Sequence, residues 1–204
     1  VLLAIDTSAG TSVALVEGDL VLAERATEDT MRHAEVIGEM ILGVLADAGV
    51  SPSSLDSVVA GMGPGPFTGL RVGIAAARAF ALGIGAPIIP AVSHDAVAFD
   101  AWSAGIRGPL LVVTDARRRE VYWSTYELGD EGPARAEGPA LCAPGDLPPH
   151  SDGQRIDAVQ VSAGSLARAE RQNRGRGIQE QFSEPLYLRS PDVTMPGARK
   201  RVSQ

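Results

Sequence analysis

The chain has a single cysteine, Cys142, in 204 residues, which excludes an internal disulfide framework and a multi-cysteine zinc site. Aromatic residues supply only 4 % of the sequence although hydrophobic residues reach 45 %, so the core has to be built from Ala, Val, Leu and Ile. Positive charge is also short: 18 Lys and Arg against 25 Asp and Glu give a net charge of −7. A protein that grips an RNA backbone unaided normally presents a basic face. The basic clusters here (Arg117-Arg118-Arg119, residues 168–176, and Arg199-Lys200-Arg201) read as solvated surface or tail. The three histidines, His33, His94 and His150, form no His-x-x-x-His or His-Glu-x-x-His pair, so a helical metal site lacks its signature. His33 reads as a surface or capping residue. The absence of a Gly-x-Ser-x-Gly elbow argues against a serine hydrolase. The longest apolar run, 72–92, is broken by Arg78 and several glycines and does not read as a membrane span. Residues 1–6 read as a strand, not a targeting segment, and a cytoplasmic protein is expected.

Glycine (23) and proline (14) are plentiful and punctuate a clear alternation of elements. Residues 1–5, 11–16 and 20–25 read as three antiparallel strands, the last two joined by a Glu17-Gly18-Asp19 turn. A helix is predicted over 32–48, where Val36, Ile37, Met40, Ile41, Val44 and Leu45 recur at three-and-four spacing; Thr30 is placed to cap it and Gly49 to end it. A strand over 55–60, a second helix over 70–82 rich in Ala and Gly, and a strand over 87–92 follow. This order predicts a mixed α/β sheet. The pattern then restarts with a helix near 95–102 and strands at 110–114 and 121–127, so a first lobe of residues 1–100 and a second of 101–204 are expected. Residues 129–153 read as loop, 142–182 give no assignable pattern, and 185–188 read as a short strand before a polar tail.

Three passages carry candidate chemistry. Gly63-Pro64-Gly65-Pro66-Phe67-Thr68-Gly69 enters the second helix and is either a structural turn or an anion-binding loop. It is neither a Walker A loop, for Leu70-Arg71 follows it, nor a dinucleotide fingerprint, because its prolines remove donors. Asp6-Thr7-Ser8, after the first strand, either places an acid and hydroxyls near a metal-phosphate group or satisfies turn amides. Asp115-Ala116-Arg117 joins two strands of the second lobe and either faces the interlobe cleft or is a solvated hairpin.

Ala4-Ile5-Asp6-Thr7-Ser8, Arg32-His33-Ala34-Glu35, the glycine-proline passage through Gly73, Asp115-Ala116-Arg117 with Glu120-Val121-Tyr122-Trp123, and Pro185-Leu186-Tyr187-Leu188-Arg189 together resemble the TsaB (YeaZ) family. The resemblance implies an actin-like ATPase superfold of two ribonuclease-H-like lobes, the second abbreviated. It also implies a non-catalytic partner subunit of TsaD, which transfers a threonylcarbamoyl group to adenosine in tRNA, working with the ATPase TsaE. ATP is then expected only in the complex with TsaD and TsaE, tRNA only as an indirect contact, and a homodimer when the chain is alone. The partner face is expected on the two first-lobe helices, at Val36, Met40, Val44, Arg71, Ile74, Ala77, Arg78 and Ala81. Asp6, Thr7, Asp115 and Arg117 are the candidate nucleotide or interlobe contacts, and no catalytic or metal residue is nominated.

Overall fold

In a computed structural model, the described residues are 1–30, 32–149, 153–180, 182 and 184–189. His150 and the Arg199-Lys200-Arg201 cluster lie outside the described residues. The described residues form two sheets. The first contains β1 (Leu2–Asp6), β2 (Thr11–Glu17), β3 (Leu20–Thr27), β4 (Ser57–Gly61) and β5 (Ile88–Ala91), in the order β3-β2-β1-β4-β5. β1, β2 and β3 run antiparallel, while β4 and β5 join in parallel. The second sheet contains β6 (Gly108–Asp115), β7 (Val121–Gly129), β8 (Gly132–Cys142) and β9 (Gln154–Ala158), in the order β8-β7-β6-β9. Its antiparallel trio followed by one parallel strand repeats the first four positions of the first sheet and omits the fifth.

Among the described residues, four α-helices complete the layers: α1 (His33–Ala48), α2 (Phe67–Ile84), α3 (Ser93–Ser103) and α4 (Ala163–Gly175). α1 and α2 cover the outer face of the first sheet, and α3 and α4 lie between the two sheets. The central strands β1, β2 and β4 are therefore buried on both faces and lose the in-out alternation of a solvated sheet. Leu3, Ile5, Val13 and Leu15 face α1 and α2, whereas the small Ala4 and Ala14 face α3 and α4. Those alanines meet Ala163 and Ala167 of α4, so backbone packs close to backbone without large side chains between. Gly49 and Gly85 end α1 and α2 in the left-handed conformation, for which a residue without Cβ bears no steric penalty.

Several expectations need correction. Residues 129–153 are not simply loop: β8 runs through Pro133 and Pro139, which a strand tolerates here because β8 is a sheet edge and needs no second ladder. α4 occupies part of the stretch that gave no pattern. Its buried stripe is Ala163, Gly164, Ala167 and Ala169 with one large residue, Leu166, so its helical period carries little hydrophobic contrast. Thr30 does not cap α1; Arg32 occupies that position, with no side-chain hydrogen bond. Residues 185–188 form no strand, although Leu186 N–H donates to the Met62 carbonyl at 2.8 Å.

The expected partner face also changes. Met40, Val44, Ile74, Ala77 and Ala81 all point into the first-lobe core, with Val44 and Ala77 fully buried. Each helix has one stripe that matches the sheet, and these residues are that stripe. Val36 is half-buried, and Arg71 and Arg78 are exposed. α2 is 18 residues long with mean hydropathy 1.4, long and apolar enough by composition to cross a membrane. Here one side of it packs on the sheet through Leu70, Ile74, Ala77 and Ala81.

Candidate functional site

β1 delivers Asp6, Thr7 and Ser8 to the edge of the interlobe region, where the glycine-proline passage closes over them. Asp6 is 1 % exposed. It accepts hydrogen bonds from Ser8 N–H (2.8 Å), Ser8 Oγ (2.6 Å) and Ser93 Oγ (2.6 Å). Burial raises its pKa, and the Ser8 and Ser93 hydrogen bonds oppose that rise. Thr7 Oγ1 donates to the Gly69 carbonyl at 2.8 Å. A Cβ on Gly61 would lie 2.0 Å from Asp6 Oδ2, one on Gly65 2.8 Å from Ser8 Cα, and one on Gly73 2.1 Å from Thr7 Oγ1. The glycines are thus the space into which Asp6, Thr7 and Ser8 fit. Both side chains proposed for metal or phosphate are consumed in holding β1, α2 and α3 together.

His33 is buried, not at the surface: Nδ1 lies 2.7 Å from Thr11 Oγ1, and burial lowers the ring's pKa. His94, absent from the expected sites, is fully enclosed between Thr114 Oγ1 (2.9 Å) and Ser124 Oγ (2.8 Å), and desolvation lowers its pKa to about 3. Among the described residues, no three His, Cys, Asp or Glu side chains converge as a metal site.

Asp115 and Arg117 sit on the opposite wall. Asp115 Oδ1 accepts from Arg117 N–H at 2.9 Å, and the two side chains pair at 3.3 Å. Arg117 Nη2 then crosses to Thr30 Oγ1 at 2.6 Å. Tyr122 makes a second crossing through its hydroxyl to the Gly65 carbonyl at 3.1 Å. The structure therefore brings Asp115 and Arg117 together at the lobe junction, but Asp6 and Thr7 lie sealed behind the glycine loop. Two cavities remain, of about 400 and about 480 Å³, which share Pro66 and Arg117 in their walls.

The second feature is an open helix face. Ala34, Gly38, Leu42 and Ala46 of α1 and Thr68, Ala75, Ala79 and Leu82 of α2 are exposed on the side away from the sheet. Leu42 is 68 % and Leu82 85 % exposed. The helix starts are neighbours, for a Cβ on Gly69 would meet the His33 ring at 3.1 Å. On α2 the outward residues are hard to tell from the inward ones in the sequence, because Gly69, Gly73, Ala77 and Ala81 make much of the inward stripe small as well.

The duplicated sheet order, with helices between the sheets and the second lobe cut short, defines an abbreviated member of the actin-like ATPase superfold. A family model described as "TsaD: tRNA N6-adenosine threonylcarbamoyltransferase" matches residues 21–186. An uncharacterized protein of Mycobacterium tuberculosis is 40 % identical over 206 residues, covering 94 % of this chain and 92 % of the relative. The "tRNA threonylcarbamoyladenosine biosynthesis protein TsaB" of Escherichia coli is 35 % identical over 100 residues, 49 % of this chain and 43 % of that protein. The crystal structure of YeaZ from Pseudomonas aeruginosa superposes with a TM-score of 0.79 at 25 % identity, over 92 % of this chain and 99 % of that one. The chain belongs to this family, on its TsaB (YeaZ) branch.

Proposed function

We propose that the chain works in the biosynthesis of threonylcarbamoyladenosine in tRNA as a non-catalytic subunit. In this reading it docks on TsaD, the threonylcarbamoyltransferase, through the outer face of α1 and α2. The observation that carries the proposal is that face: two adjacent helices, long enough for a bundle, expose small residues flanked by Leu42 and Leu82. Small outward side chains let a second helix pair approach closely, and an exposed apolar stripe favours association. Left alone, the same face would pair with a second copy. The enclosure of Asp6 and Thr7 supports the non-catalytic part, because neither retains a free group for metal or phosphate. ATP is assigned to the assembled complex with TsaD and TsaE, and the setting is cytoplasmic.

The test is tRNA threonylcarbamoylation in a purified mixture of TsaC, TsaD, TsaE, ATP, threonine and bicarbonate, with and without the chain. Product is expected only when the chain is present, and Asp6→Asn, if it folds, is expected to support it equally. Product formation independent of the chain would overturn the reading.

A further inference from the structure

One part of the interlobe junction is a groove whose chemistry the partner role leaves unused. Its walls are Pro66, Phe67, Arg117, Arg118, Tyr187 and Arg189, enclosing about 400 Å³. The Phe67 and Tyr187 rings meet at a tilt of 40° with centroids 4.5 Å apart. The Arg71 guanidinium lies 3.6 Å from the Phe67 centroid, and its Nε donates to the Tyr187 hydroxyl at 3.2 Å. Arg119 continues the loop, so five arginines line or flank one groove on a chain of net charge −7. The two loop acids are already engaged, Asp115 by Arg117 and Glu120 by Arg189. Arg71 and Arg119 have no carboxylate within ion-pair distance among the described residues. Net charge averages over this patch, which is why composition pointed away from RNA.

The loop backbone adds an independent observation. Arg117, Arg118 and Arg119 all have positive φ (64°, 52° and 63°), a conformation each L-residue with a Cβ adopts at a cost. Glycine would fill those positions without strain, yet three arginines stand there. The turn is held by Ala116 N–H to the Glu120 carbonyl and Glu120 N–H to the Arg117 carbonyl, both 3.0 Å.

We infer that this groove is a direct contact for an unpaired nucleotide of the RNA substrate, with a base stacked beside Tyr187 and phosphates held by the arginines. Aromatic faces accept any base, and guanidinium groups pair with phosphate oxygens in a planar fork. Tyr187 is 37 % exposed, so part of its ring is open to a base. The inference rests on the proposed function, in which tRNA is the substrate of the assembled complex. It gives the chain a share in holding that substrate.

The experiment measures binding of unmodified tRNA transcript to the chain–TsaD complex by fluorescence anisotropy, across a salt series. Arg119→Gln and Arg118→Gly are compared with wild type, and co-elution with TsaD and thermal midpoint are recorded for each. Each variant is expected to weaken tRNA binding roughly two- to five-fold and to make the salt dependence shallower by about one ion. Co-elution should be unchanged, and the Arg118→Gly midpoint should hold or rise as the positive φ is relieved. Wild-type affinity and salt slope in both variants would overturn the inference. So would displacement of polyadenylate from the isolated chain by ATP at equal phosphate concentration, which would make the groove a free-nucleotide site. If wild-type chain fails to co-elute with TsaD, the partner reading falls by itself. The groove is then judged on the isolated chain, where the same two variants must weaken polyadenylate binding or the inference is overturned.

Discussion

One substitution made at two neighbouring positions of α2 separates the core from the docking face. Ala77 is fully buried against the first sheet, and Ala79, two residues on, is exposed on the opposite side. In Ala77→Glu the carboxylate enters the cluster of Leu70, Ile74 and Ala81 with no cation to meet it. A glutamate in such a place is held neutral, its pKa displaced by about 3 units, which costs roughly 4 kcal/mol at neutral pH. Overpacking of a site cut for a methyl group adds at least about 1 kcal/mol. A loss of about 5 kcal/mol is a large fraction of a domain's stability and lowers Tm by roughly 10–20 °C for a chain of this size. Ala79→Glu adds a solvated charge to an exposed helix position and should move Tm by no more than about 2 °C. It should, however, place an unpaired charge in the docking face and weaken association with TsaD by roughly thirty-fold, about 2 kcal/mol. Thermal melts by circular dichroism and co-elution titrations read the two effects separately. Equal melting of the two variants would refute the burial argument, and undiminished association of Ala79→Glu would refute the docking face.

Leu82→Ala should leave Tm unchanged, because the side chain is 85 % exposed, yet weaken association by about 1.5–3 kcal/mol if the partner buries it; isothermal titration with TsaD checks this. Gly73→Ala should destabilise by about 1–3 kcal/mol despite its better helix propensity, since the new Cβ lies 2.1 Å from Thr7 Oγ1. In a Thr7→Ala background most of that cost should vanish, and additive denaturation energies would show that the two residues do not share the space. His94 has a folded-state pKa lowered from 6.5 to about 3, so its neutral form is favoured in the folded chain. Its contribution is complete above pH 6.5 and is lost as pH falls toward 3, with a ceiling of about 5 kcal/mol. Burial raises the pKa values of Asp6 and Asp95, which act in the opposite sense, so the difference between wild type and His94→Gln is the quantity to follow. That difference should shrink across pH 6.5 to 3 in denaturant melts; a pH-independent difference would refute the assignment.

Local pattern by itself determined the first lobe. Its central strands survive in the sequence as short apolar runs such as residues 1–5, and the stripe of Ile37, Met40, Ile41 and Val44 survives as three-and-four spacing. The glycine-proline passage was legible as special for the same reason, since only unusual backbone demands that many glycines. Elements whose environment is set from a distance left no such record. α4 lies between two sheets and is lined by Ala and Gly, and β8 is an edge that tolerates Pro133 and Pro139. The sites were decided by tertiary structure in a stricter sense. Asp6 and Thr7 have the residue types of a metal-phosphate site, and only the approach of Gly61, Ser93, Gly69 and Gly73 turns them into internal posts. Likewise, α2 carries small residues on both sides, so only packing against the sheet tells Ala77 from Ala79. Residue type and spacing specify what a side chain is able to do; which groups reach it, and which face stays open, follow from contacts made across the whole chain.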